Sequence, residues 1–157
     1  MNITTWRICH PRHIDSAFSG EGARIEGGRW NNVGTRMVYT SEGHSLAILE
    51  IFVHTDTYSQ IKNHVIIPAT FDKKLSGFLD YDEIPDDWQD DPIPPSTRKM
   101  GDKWIKAKKS AVLQVPSTIV PHQFNYLINP DHPDFSKIEI GLPERLYIDP
   151  RIAEKLK

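Results

Sequence analysis

A chain of 157 residues with 38% hydrophobic and 25% charged side chains can build one folded core, and it is too short for a second independent fold without an obvious seam. A formal charge of -2 argues against a general polyanion binder whose affinity comes from neutralising phosphates. The single cysteine, Cys9, excludes an internal disulfide and a four-thiolate zinc site, and fits a reducing compartment.

In chain order, the opening MNITTWRICHPRH holds no apolar stretch of signal-peptide length, and no run anywhere approaches the roughly 20 apolar residues of a membrane span. No membrane association and a cytoplasmic location are therefore expected. Cys9-His10-Pro11-Arg12-His13 gathers metal-ligating residue types, but its spacing fits no usual zinc pattern and no second ligand pair follows, so no metal is expected. The Asn31-Asn32-Val33-Gly34 turn signal leads into a predicted strand at 37–40, then a helix from about 42 to 54 with Ser41 as its N-cap. Further strands are predicted at 64–71, 111–115, 124–128 and 146–148, and a second helix at 96–109. Between them, residues 80–95 (DYDEIPDDWQDDPIPP) carry seven acids and four prolines, and read as a surface loop inserted in one domain spanning 1–157. The mixture predicts an α+β single domain with a mixed, largely antiparallel sheet.

Two segments carry candidate chemistry. The run Leu46-Ala47-Ile48-Leu49-Glu50-Ile51-Phe52-Val53 is apolar at every position except Glu50. A helix apolar all round is expected to be buried, and a carboxylate within it must be paired, be protonated or open onto a cleft. Glu50 is thus a structural ion pair, an edge position, or a functional carboxylate tuned by its site. In Gly27-Gly28-Arg29-Trp30-Asn31, two glycines permit close backbone approach just before an Arg and a large aromatic. Such a loop can present a guanidinium to a phosphate or carboxylate; it can equally be a hairpin turn with a surface Arg and a core Trp. The 98–109 segment carries six cations against Asp102 alone, and with Met100, Trp104 and Ala107 on one side it reads as a solvated basic face.

Residues 27–54, GGRWNNVGTRMVYTSEGHSLAILEIFVH, closely resemble the signature of the RES-domain family, named for an arginine, a glutamate and a serine. Trp6-Arg7, Phe18-Ser19-Gly20-Glu21-Gly22, Gly101-Asp102-Lys103-Trp104, Val115-Pro116-Ser117, and Asn125 to Pro130 with His132 resemble its other landmarks in the same order. The resemblance implies the toxin of a bacterial type II toxin–antitoxin pair, with a fold similar to the ADP-ribosyltransferases and an activity that consumes NAD+. It implies an Xre-like, helix-turn-helix antitoxin as partner, whose C-terminal segment would occlude the cleft, and it allows a homodimer within the complex. DNA contact, on that analogy, belongs to the antitoxin, and no direct nucleic-acid binding is expected of this chain. Arg29, Tyr39, Glu50 and Ser117 match the name-giving and strand positions, with Arg7, Trp30 and Asn125 as further carry-overs. No GxGxxG or Walker loop is present, so NAD+ would be a substrate and no prosthetic group is expected.

Cleaving the nicotinamide–ribose bond builds positive charge on the ribose, while the pyridinium leaves as neutral nicotinamide without needing a proton. A carboxylate beside the sugar suits that step, and Glu50 is the candidate. Arg29 would clamp the phosphates, Tyr39 would stack on nicotinamide or hold the ribose, and Ser117 would hydrogen-bond Glu50 or substrate. The acceptor of ADP-ribose stays open: water, phosphate, or a protein as in a mono-ADP-ribosyltransferase. A third reading is a noncatalytic binding module in which Glu50 and Arg29 form an internal ion pair.

Overall fold

The structure, a computed structural model, describes residues 1–155. Its strands are β1 (Asn2–Cys9), β2 (Val38–Ser41), β3 (Val65–Asp72), β4 (Ser76–Phe78), β5 (Val112–Pro116), β6 (Phe124–Ile128), β7 (Glu139–Ile140) and β8 (Glu144–Arg145). Four α-helices accompany them: α1 (Glu21–Glu26), α2 (His44–Phe52), α3 (Pro95–Ala107) and α4 (Pro150–Ala153). The strands form one sheet in the order β4-β5-β6-β2-β1-β3-β7, with β8 also on β3, and only the β4–β5 pairing is parallel. This is the α+β domain with a largely antiparallel sheet that the sequence predicts. Among the described residues no helix is long and apolar enough to cross a membrane.

Strand alternation assigns the faces. Ile3 and Cys9 of β1 join Val38, Ala69, Phe71, Val112 and Ile128 in a core on one side of the sheet. Trp6 and Ile8 point the other way, against Ile48, Ile51 and Phe52 of α2. Leu113, Val115 and Leu127 pack on Trp30 and on Met100, Trp104 and Ile105 of α3. Because Trp6 lies opposite Ser41, and Tyr39 shares the side of Ser41 on β2, α2 and α3 cover the same face. β1 pairs with β3 over its whole length but meets β2 at the single pair Trp6–Ser41, so the sheet is joined narrowly at its centre.

Several expectations are corrected. Strand β1 was not predicted: with both faces covered, its inward Thr5 and Cys9 and its opposite Trp6 and Ile8 give no clean polar alternation. The N-cap of α2 is Gly43 and not Ser41, because β2 and the backbone bond from Glu42 N–H to Phe124 O extend the strand run past the serine. Helix α2 is not buried all round: Leu46 and Ala47 are, whereas Leu49 is 42% and Val53 58% exposed. Residues 146–148 are not a strand; pairing ends with β8, and Leu146 and Ile148 are buried beside α2 after one bond from Leu146 N–H to His64 O. The 80–95 stretch exposes Asp82, Glu83, Asp86, Asp90 and Asp91 but buries Ile84 and Pro94, and packs Trp88 against the α3 side.

Candidate active site

The sheet and α2 converge on Glu50. Its Oε1 accepts from Ser117 Oγ at 2.8 Å and from Asn125 Nδ2 at 2.6 Å. Ser117 follows the last residue of β5 and is fully buried. Its Oγ accepts from the backbone N–H groups of Ile119 and Val120, both at 3.1 Å, so its single proton is aimed at Glu50. Asn125, in β6, lies directly across from Ser41 of β2. Glu50 is partly exposed, and no cation pairs with it among the described residues. Neutral donors therefore fix the carboxylate without cancelling its charge, leaving it able to stabilise a cation that approaches its exposed side.

Arg29 belongs to a second constellation. Its Nη1 donates to the carbonyls of Trp88 at 2.9 Å and Asp90 at 2.8 Å, so the acidic stretch orients the guanidinium. That stretch is fastened in turn to the segment after Ser117: Tyr81 Oη donates to Pro121 O at 2.8 Å and Gln89 Nε2 to Thr118 O at 3.3 Å. Arg29 and Glu50 do not pair, which removes the contact on which the binding-module reading rested.

The loop bearing Arg29 is built from residues that sequence reasoning left unassigned. Fully buried Asn31 donates to the carbonyls of Ala23, Asn32 and Thr35, and its Oδ1 accepts from Tyr39 Oη at 2.6 Å. Tyr39 Oη accepts in turn from Trp30 N–H at 3.0 Å. A Cβ on Gly28 would lie 2.6 Å from that hydroxyl, so only glycine lets the loop close on Tyr39. From α3, Asp102 takes the backbone N–H and Nδ2 of Asn32 at 3.1 and 2.8 Å, and Arg98 Nε donates to Gly28 O at 3.2 Å. A Cβ on Gly101 would sit 1.6 Å from Trp30 O, so the helix reaches the loop only because residue 101 has no side chain. The Gly101-Asp102 landmark thus has a physical reading: it is the dock for the arginine loop.

Of the remaining candidates, Trp30 lies in the core, 3% exposed. The Tyr39 hydroxyl is occupied by Asn31 and Trp30, and burial pushes its pKa well above the ordinary phenol value. Arg7 reaches across the narrow β1–β2 junction to donate from Nη1 to Tyr39 O at 3.1 Å. Its Nε is buried without a partner among the described residues, no carboxylate pairs with it, and burial lowers its pKa. Among the described residues no group of His, Cys, Asp and Glu is placed to hold a metal ion.

Comparisons with known proteins follow the same layout. The RES domain family matches residues 4–149. A protein named Toxin Res from Photorhabdus laumondii subsp. laumondii is 34% identical over 149 residues, covering 90% of this chain and 95% of that protein. A protein named Prs ADP-ribosylating toxin from Sphingobium sp. is 32% identical over 160 residues, covering 99% of each. A chain from the crystal structure of the M. tuberculosis MbcT–MbcA toxin–antitoxin complex superimposes with a TM-score of 0.67 at 15% identity, over 99% of this chain and 89% of that chain, which shows a shared fold. With the family pattern running from β1 past β8 and relatives above 30% identity along nearly the whole length, this chain belongs to the RES domain family.

Proposed function

We propose that the chain is the toxin of a type II toxin–antitoxin system and that it acts by cleaving the nicotinamide–ribose bond of NAD+. The observation that carries the reading is the Glu50 carboxylate, held by Ser117 and Asn125, facing no cation of its own and partly open to solvent. As the glycosidic bond breaks, its electron pair goes to the pyridinium nitrogen, nicotinamide leaves neutral, and the ribose carbon acquires oxocarbenium character beside Glu50. Water or phosphate then adds to that carbon, with the water proton passing to solvent or to the carboxylate. Arg29 and Arg7, whose Nε has no partner among the described residues, supply the two guanidinia suited to the dinucleotide phosphates, converting remote binding into positioning of the reacting carbon. Tyr39 shapes the pocket through its ring, since its hydroxyl is engaged elsewhere.

A second reading, transfer of ADP-ribose to a protein, is favoured by the 32% identity to the Sphingobium protein named as an ADP-ribosylating toxin. The same Glu50 chemistry serves both, because the carboxylate stabilises the electrophile and does not select the nucleophile. An Xre-like antitoxin, a homodimer within the complex and a cytoplasmic location complete the proposal, supported by family membership and by the toxin names of the relatives.

Incubating the purified protein with NAD+, with and without phosphate and beside the Glu50→Ala variant, and following nicotinamide by chromatography tests the reading. Glu50-dependent release supports it, with free ADP-ribose marking hydrolysis and a phosphate-dependent product marking phosphorolysis. No release from folded, antitoxin-free protein, together with labelling of a protein in cell extract by tagged NAD+, would replace the first reading by the second. Neither release nor labelling would overturn both.

A further inference from the structure

We infer that Ser41 is a positioning residue for Glu50, acting through Asn125. The inference deepens the NAD+-cleavage reading and rests on it for its catalytic part. Asn125 Nδ2 donates to Glu50 Oε1 at 2.6 Å, and Asn125 Oδ1 accepts from Ser41 Oγ at 2.8 Å. An ionised carboxylate only accepts, so the nitrogen end of the amide must face Glu50 and the oxygen end must face away. Nothing in a side-chain amide enforces that choice by itself, because a half-turn exchanges two ends of nearly equal size. The acceptor-only Glu50 carboxylate selects the orientation, and the Ser41 hydroxyl, donating to Oδ1, anchors the far end of the amide so that its plane stays aimed at Glu50.

The fold places Ser41 for this work and gives it no other. Ser41 is 4% exposed, and it is the residue at which β2 meets both neighbours, Trp6 of β1 on one side and Asn125 of β6 on the other. Directly opposed residues on adjacent antiparallel strands project to the same side, which brings Oγ within reach of the Asn125 amide. Ser41 does not cap α2, whose N-cap is Gly43 with no side-chain bond. Ser117 needs no such helper, since two backbone N–H groups already aim its proton. One donor to Glu50 is thus aimed by backbone and the other anchored by a buried serine.

The experiment has a catalytic and a noncatalytic readout. Ser41→Ala is expected to lower kcat for nicotinamide release by up to roughly tenfold, the size of one neutral hydrogen bond, with little change in KM. The Ser41→Ala/Asn125→Ala double variant is expected to be no slower than Asn125→Ala alone, because Ser41 acts through that amide. In 15N spectra, the Asn125 side-chain NH2 pair, assigned by its loss in Asn125→Ala, is expected to shift in Glu50→Gln and to broaden or move in Ser41→Ala. Ser41→Cys, which nearly keeps the volume and weakens the donor, carries the same measurements should the alanine variant not fold. Additive losses in the double variant, or unchanged kcat and amide signals in a folded Ser41 variant, would overturn the inference. If the wild type releases no nicotinamide, the NAD+ reading falls, and the amide signals alone decide whether Ser41 holds the Asn125 amide in place.

Discussion

The Glu50 carboxylate and the Arg29 guanidinium are held by opposite means. Glu50 sits on a helix, and both of its donors are side chains at the ends of β5 and β6. Arg29 sits in a loop and is oriented by two backbone carbonyls of another loop. A carboxylate has only acceptor positions, so it is fixed by donors; a guanidinium has only donors, so any stretch of backbone with inward carbonyls can hold it. The acidic segment therefore serves Arg29 through its peptide oxygens, while the carboxylates of Asp82, Glu83, Asp86, Asp90 and Asp91 stay on the outside. The carboxylate end should govern the chemical step and the arginine end should govern substrate capture.

The largest expected effect falls on the carboxylate. Glu50→Gln should cut the nicotinamide release rate by about 10²–10³-fold, as for loss of one electrostatic stabiliser, with the melting temperature nearly unchanged. A large loss of fold in that variant would make Glu50 structural and break the comparison. On the arginine side, Gly101→Ala forces a methyl against Trp30 O and should cost about 3 kcal/mol in denaturant unfolding, by pushing α3 off the arginine loop. Unchanged stability there would mean that the loop is not docked as described.

Arg29→Lys keeps the charge and loses the fork, so KM for NAD+ should rise roughly tenfold with a smaller fall in kcat. If kcat fell and KM stayed constant, the division of labour between the two ends would be wrong. The smallest effect belongs to Tyr39→Phe, which should cost about 1–2 kcal/mol at neutral pH by unpairing Asn31 Oδ1 and Trp30 N–H. It also has a pH signature. Burial raises the folded-state pKa of Tyr39 above its unfolded value of about 10, so above pH 10 the unfolded chain loses a proton that the folded chain keeps. Stability from this group is fully present below pH 10 and declines above it, and the phenylalanine variant should show a shallower alkaline limb in thermal melts.

Legibility in the sequence followed the range of the interactions. Glu50 was visible because one charge stood in an apolar run, and Gly27-Gly28 announced a close approach before its partner, the Tyr39 hydroxyl, was known. Ser117 and Asn125 lie 67 and 75 residues from Glu50, and only the resemblance tied them to it. Asn31 and Ser41 were read as a turn residue and a helix cap, since short polar side chains favour those local roles and their actual partners are decided by strand register. The exposed Leu49 and Val53 show the converse: hydrophobic sequence set the helix but not which turn of it would be covered.

The place of the late strand β6 beside the early strand β2 also orders the making of the molecule. Glu50 is translated in the first third of the chain, yet both of its donors come with the β5–β6 hairpin, and β6 must slide in beside β2 before either arrives. A nascent chain that ends short of Ser117 contains the carboxylate and neither of its donors. Closing loops of this length is the slow step of such topologies. The Glu50–Ser117–Asn125 cluster is thus a property of a nearly finished polypeptide, so synthesis itself keeps it unassembled while most of the chain is still being made.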